Sequence, residues 1–285
     1  MHSRAILAML AAAVLFSTAG LAIKKVSLSG FEVAFWRSLF AAVTMLLLTP
    51  VLRRPLTLRL RKRAWIGVVA YALTLLLFVL ATKKTTAANA TFLQYTAPFY
   101  ILVLEPRLLG TRFRSRDLGF VVVAFAAMGL FFVDDLGGGS WIGNVLALAS
   151  GLTLAMMVLA MRSSQDNLSE RWCAALFGNL LLAAPLLVLV PLGFTSIPQS
   201  ADDWLGLLFL GIFQIGFAYV FYTYALGWVT ALEASLLSML EPLLNPVWVY
   251  LGTGERPGRW ALVGGAVILG AILLRVVTGP TRERQ

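Results

Sequence analysis

Long apolar stretches separated by short polar breaks dominate this chain. They cover residues 5–23, 31–51, 64–82, 87–106, 117–134, 141–161, 171–191, 203–225, 232–252 and 259–277. Each approaches the roughly 20 residues that a helix needs to cross the hydrocarbon core of a bilayer. Most breaks carry charges or turn residues, as loops at a membrane surface do. Two are short enough for tight hairpins: Lys83-Lys84-Thr85-Thr86 and Gly227-Trp228-Val229-Thr230. The pattern predicts an all-α polytopic membrane protein with ten transmembrane helices. Arg4 and the apolar run to Ala22 resemble a secretory signal, but that run is long enough to span, and nine more segments follow it.

Composition supports lipid as the solvent. Of 285 residues, 60% are hydrophobic and 13% charged, against about a quarter charged in soluble domains. The net charge of +10 does not form a solvated patch for nucleic acid, because the charges sit in the breaks. With the N-terminus inside, Arg4, Arg53, Arg54, Arg59, Arg61, Lys62, Arg63, Arg107, Arg112, Arg114, Arg116, Arg162, Arg171, Arg275, Arg282 and Arg284 fall inside. Only Lys24, Lys25, Lys83, Lys84, Arg256 and Arg259 fall outside. This bias predicts both termini in the cytoplasm. Basic loops also suit an anionic cytoplasmic leaflet.

Cys173 and His2 are single. They exclude an intramolecular disulfide, a Cys/His metal site and catalysis by a core histidine. No glycine-rich phosphate loop is present, which excludes a self-contained ATP-driven pump. No cofactor is expected.

The chain matches itself when shifted by 144 residues, the separation of Pro98 and Pro242. Ala81, Thr86, Ala87, Ala90, Leu93, Val103, Gly110 and Arg112 then meet Ala225, Thr230, Ala231, Ala234, Leu237, Val247, Gly254 and Arg256. The shift is near half the length, so the reading is a duplication. The first five-helix repeat covers 1–136, a linker 137–140, the second repeat 141–277 and a cytoplasmic tail 278–285. Five crossings are an odd number, so the second copy enters the membrane upside down. Inverted repeats of this kind are a transporter architecture, with the substrate site near the midplane between them.

These features resemble the drug/metabolite transporter superfamily, in its ten-helix EamA-type branch. Phe35-Trp36-Arg37-Ser38-Leu39-Phe40-Ala41-Ala42 is similar to that family's Arg-x-x-x-Ala pattern. Ala90-x-x-x-x-x-x-Ala97-Pro98 and its echo Ala234 to Pro242 carry the rest of the likeness. The family's usual proline before the second helix is replaced by Gly30-Phe31, and the second repeat has no counterpart of Arg37. The resemblance implies a small-molecule transporter of a bacterial inner membrane, similar to the aromatic amino acid exporters.

Candidate site residues follow from spacing. Thr91, Gln94, Tyr95 and Pro98 share one helix face, and so do their mates Ser235, Ser238, Met239 and Pro242. Each proline frees a carbonyl four residues earlier, at Gln94 and Ser238, making Pro98 and Pro242 candidate hinges. The alternative is that these residues only help helices pack. Glu241 lies near mid-membrane with Asn245 one turn on, placed to meet a substrate ammonium, to carry a proton, or to stay neutral in a structural bond. Arg37 is placed to reach a carboxylate, to pair with Glu32 or Glu241, or to snorkel outward. Tyr71, Phe78, Tyr222 and Gln214 are candidates for the side-chain pocket; Trp65, Trp141, Trp204 and Trp260 suit the interfacial belt. Asn89 and Glu233, matched across the repeats, suit helix caps.

The expected function is secondary export of small amphipathic metabolites, chiefly aromatic and other neutral amino acids, by alternating access. The expected partners are that substrate and the lipid bilayer, with the chain a monomer. The alternatives are a proton-coupled exporter of drugs or quaternary ammonium compounds and an intramembrane lipid-modifying enzyme. The latter requires clustered acid/base or nucleophilic groups at one depth, and the sequence offers none.

Overall fold

The computed structural model describes residues 2–111, 115–131, 133, 140–253 and 259–278. The expected linker residues 137–139 and tail residues 279–285 lie outside them. Among the described residues, six helices are long and apolar enough to cross a membrane. They are α1 (His2–Lys25), α2 (Gly30–Val51), α3 (Lys62–Lys84), α6 (Trp141–Arg162), α7 (Leu168–Leu189) and α8 (Ala201–Ala225). Between and after them lie α4, in two parts (Ala87–Gln94 and Ala97–Leu109), α5 (Ser115–Phe131), α9, also in two parts (Ala231–Ser238 and Leu240–Thr253), and α10 (Arg259–Thr278). The helices coincide with the apolar runs because a chain in lipid has to satisfy its backbone within each segment.

Local sequence sets the starts. Ser29 and Glu32 form a capping box at the head of α2, and Thr230 and Glu233 form another at the head of α9. Thr86, the repeat mate of Thr230, caps α4 by accepting from the Asn89 amide. A hydroxyl at this position satisfies an amide that the first turn leaves free.

Polar groups gather at two ends. At one, the His2 ring lies 3.2 Å from Glu233 and 3.3 Å from the Trp228 carbonyl. There Arg162 donates to the Leu226 carbonyl, Arg171 to the Thr223 carbonyl, and the Ala231 amide to Glu105. Glu170 accepts from both the backbone and the guanidinium of Arg61, holding that guanidinium above its ordinary pKa. At the other end Lys24 donates to the Thr85 carbonyl, Lys83 to that of Val26, and Ser27 to Asp203. The Ser196 amide donates there to Glu32, and Thr85 to Asn144. The breaks that these bonds locate thus fall alternately at the two ends along the chain.

The main helix contacts can be compared under the 144-residue shift, in which α1 to α5 become α6 to α10. The α3–α6 contact then maps onto α8–α1, α2–α8 onto α7–α3, and α4–α6 onto α9–α1. The α2–α7, α4–α9 and α5–α10 contacts map onto themselves. All of these contacts are present. Small residues permit the closest approaches: a Cβ on Gly151 of α6 would stand 2.7 Å from the Gln94 carbonyl oxygen and 2.8 Å from the Thr96 hydroxyl. Large apolar side chains such as Leu47, Leu73, Val103, Leu187 and Leu273 face outward, as lipid-facing positions should.

Candidate functional site

The two broken helices meet where the halves meet. The first part of α4 ends at Gln94 and the second begins at Ala97, with Pro98 in its first turn. The first part of α9 ends at Ser238 and the second begins at Leu240, with Pro242 in its first turn. The ring of proline cannot follow the preceding turn of an unbroken helix, so the break falls just before it. The two breaks stand at equivalent positions of the repeat.

Each frees backbone oxygens, and side chains cover them. Thr96 donates to the Leu93 carbonyl at 2.7 Å. The Tyr95 hydroxyl, from the first break, lies 2.5 Å from the Ser238 carbonyl at the second and 2.9 Å from the Glu241 carboxyl. Beside the first break Gln94 donates to Ser150 at 2.7 Å, and Ser150 to the Thr74 carbonyl at 3.2 Å. Thr74 in turn donates to the Ala70 carbonyl, and its hydroxyl lies 3.0 Å from that of Thr153.

A cavity of about 80 Å³ opens between these elements, room for several waters. It is lined by Arg37 from α2, Phe78 from α3, Gln94 and Tyr95 from α4, Gln214 and Tyr222 from α8, and Ser235, Ser238 and Glu241 from α9. The sequence singled out all of these. Phe16, Thr74, Leu154, Met157, Val158, Ile215 and Tyr219 also line it, outside the sequence-derived set of site residues. Thr74 shares a helix face with Phe78, one turn away on α3, while Met157 and Val158 come from α6, which carries neither polar stripe.

Three candidates fall elsewhere and one is undescribed. Tyr71 is fully buried behind the wall, accepting from Asn179 at 2.7 Å and packing edge-on against Tyr219 at 4.8 Å. Thr91 and Met239 do not line the cavity. Met239 falls at the break itself and is 1% exposed in the apolar core, whereas Thr91 shares its unbroken segment with Gln94 and still lies off the cavity. The side chain of Asn245 lies outside the described residues.

Arg37 neither snorkels outward nor pairs with Glu32 or Glu241. It is 1% exposed, so it does not snorkel. Glu32 is engaged by Ser29 and Ser196 at the helix end, and Glu241 by Tyr95. Among the described residues the only hydrogen bond of Arg37 is a long one, from Nη2 to the Leu75 carbonyl at 3.5 Å, and Nε and Nη1 have no partner. Gln214 Oε1 is likewise buried without a partner. Buried charge is costly unless it is paired, so a guanidinium left open on a cavity wall marks a place for an anion. Gln214 lies in a widened, π-helical stretch of α8, Leu210–Phe217. Gly211 in that stretch brings α8 against the Arg37 carbonyl and Phe40 of α2. Such widened turns recur at functional sites; the glycine is the only local hint of it in the sequence.

No cluster of three or more metal-ligating side chains occurs among the described residues. Trp65, Trp141 and Trp260 are exposed at helix ends, as an interfacial belt requires.

Comparison with known proteins agrees with this geometry. An uncharacterized transporter of Archaeoglobus fulgidus is 27% identical over 94% of each chain. A pseudopaline exporter of Pseudomonas aeruginosa is 24% identical over 90% of each. A probable terminal-alkyne amino-acid exporter of Streptantibioticus cattleyicolor is 25% identical over 99% of this chain and 97% of that one. A solved crystal structure shares the fold with a TM-score of 0.79 at 19% identity, over 97% of this chain and 96% of the other. The EamA-like transporter family model matches twice, at residues 3–133 and 141–277, and the chain belongs to that family.

Proposed function

We propose that the protein is a secondary exporter of small amphipathic metabolites, chiefly amino acids, binding them by their carboxylate at Arg37. The observation that carries this reading is the buried, open guanidinium on the wall of a cavity between the two halves. Tyr219, Tyr222, Phe78 and Phe16 supply an apolar, aromatic wall for the side chain. The names of the Pseudomonas and Streptantibioticus relatives, both exporters and one for an amino acid, support the class.

In this reading ten helices cross the membrane as two inverted repeats, 1–136 and 141–277, with both termini in the cytoplasm of a bacterial inner membrane. The exchange-symmetric helix contacts support the inversion. Two similar halves facing opposite ways can open to either side by nearly equivalent motions. The breaks at Tyr95 and Met239 supply matched bending points, with Pro98 and Pro242 preventing either helix from closing into a continuous rod.

A second reading, proton-coupled export of a cationic drug, draws on Glu241 in the same cavity. One experiment separates them. Proteoliposomes are loaded with labelled tryptophan, phenylalanine, threonine or a quaternary ammonium compound, and efflux is followed with and without a pH gradient. The amino-acid reading predicts saturable efflux of the amino acids, lost in Arg37→Met. Efflux of the quaternary compound alone, driven by the gradient, would replace it with the second.

A further inference from the structure

Arg37 and Glu241 line the same cavity in different surroundings. Arg37 has the Leu75 carbonyl, Tyr71 and Tyr219 as its polar and electrostatic neighbours. Glu241 has Tyr95 and Tyr222. No hydrogen bond or ion pair joins the two among the described residues. Between these surroundings lies a row of two tyrosine rings on the cavity wall, Tyr219 beside Arg37 and Tyr222 beside Glu241, with centroids 5.4 Å apart. Phe16 packs edge-on against both, at 5.4 and 5.8 Å.

That geometry measures the ligand. In an α-amino acid the nitrogen and the carboxyl carbon are two bonds apart, about 2.5 Å. With its carboxylate on Arg37, its ammonium ends beside the first ring of the row and leaves Glu241 unused. Turning an aromatic side chain toward Glu241 brings that carboxyl no polar partner. A ligand that meets both Arg37 and Glu241 has to hold its charges apart by the length of the row.

We propose that the preferred substrate is an extended zwitterion: a carboxylate at one end for Arg37, an amine at the other for Glu241, and a stem that lies along Tyr219, Tyr222 and Phe16. Tyrosine faces suit the approach of the cationic end, and the Glu241 carboxyl is its terminus. Simple α-amino acids fill the Arg37 half only. This rests on the reading of Arg37 as the carboxylate site.

The test is a length series on the purified protein by isothermal titration: the ω-amino acids from β-alanine to aminooctanoate, and alanine beside its di- and tripeptide. Affinity is expected to rise with charge separation to an optimum roughly tenfold or more above alanine, the worth of one buried charged bond. In Glu241→Gln the ratio between the best long zwitterion and alanine is expected to fall toward unity. Affinity that is flat or falling with length would overturn the inference and leave the carboxylate reading standing. So would a length preference that survives in Glu241→Gln. If no carboxylate compound binds the wild-type protein, the reading at Arg37 fails, and this inference with it.

Discussion

The hydroxyl of Tyr95, at the break of α4, lies 2.5 Å from the carbonyl of Ser238, at the matching break of α9. One half of the protein thus covers the backbone oxygen that the other half's break exposes. The same hydroxyl is 2.9 Å from Glu241 Oε2. A tyrosine hydroxyl has one hydrogen and accepts through its oxygen. Given to Ser238, that hydrogen leaves Glu241 to supply its own, so the arrangement is complete with a protonated carboxyl. Tyr95→Phe strips both contacts and should cost about 1–3 kcal/mol, read as a lower melting temperature in detergent. Glu241→Gln keeps both, because the amide donates where the acid did, and should melt close to wild type. A glutamine variant as unstable as the phenylalanine one would mean that a charged carboxylate, not the neutral acid, completes the contact.

The same hydrogen count predicts proton release. An amine that reaches Glu241 binds the carboxylate and displaces the carboxyl proton. Titrations of the best long zwitterion in buffers of different ionisation enthalpy should show about one proton released per ligand, with affinity rising as pH rises. Alanine, which stops at Arg37, should release none. Equal release by both would place the titrating group elsewhere.

Much of this site was legible in the sequence, for physical reasons that differ by residue. Pro98 and Pro242 announce the breaks because no unbroken helix accommodates them, and Thr86 and Thr230 announce the helix starts because free amides need an acceptor. Arg37 and Glu241 stand out because charge is rare in apolar runs. Thr91 and Met239 lie off the cavity, Met239 because it falls at the break that Pro242 enforces. The π-helical stretch around Gln214 has no residue type that demands it. Phe16 and Met157 enter the cavity from helices of opposite halves, a proximity that no spacing within one helix encodes.

Arg37 should trade stability for function. Its guanidinium is fully buried with two nitrogens unpartnered, so the folded protein bears the desolvation cost without the pairing that offsets it. Arg37→Met keeps a long, flexible stem and removes the charge. The variant should melt at or above the wild-type temperature while losing binding of carboxylate ligands by roughly tenfold or more. A variant that melts well below wild type would show that Arg37 holds the fold together.

Gly151 tests whether the α4 break depends on close packing. A methyl group there would stand 2.7 Å from the Gln94 carbonyl oxygen and 2.8 Å from the Thr96 hydroxyl, too close for either to remain in place. These are atoms of the break itself, with little freedom to move aside. Gly151→Ala should therefore push the second half's α6 off α4 at a cost of about 1–3 kcal/mol and weaken ligand binding with it. Gly119, around which nothing lies within 4 Å of an added methyl, is the control. Gly119→Ala should be neutral or slightly stabilising, since alanine is the better helix former by about 1 kcal/mol.

The topology is open to a direct test through the outer and inner ends of the helices. Lys24, Thr85, Asn144, Glu32 and Ser196 join at one end and His2, Arg61, Glu170, Arg171 and Trp228 at the other. Cys173 is buried and is the only cysteine, so replacing it by alanine gives a background for single cysteines. Gln199 is exposed at the first end and Arg59 at the second. In whole cells an impermeant maleimide should label Gln199→Cys and spare Arg59→Cys until the membrane is opened. The basic loops favour that orientation because positively charged segments are retained in the cytoplasm. The reverse pattern would turn the protein over, and labelling of both in intact cells would mean that alternate crossings do not hold.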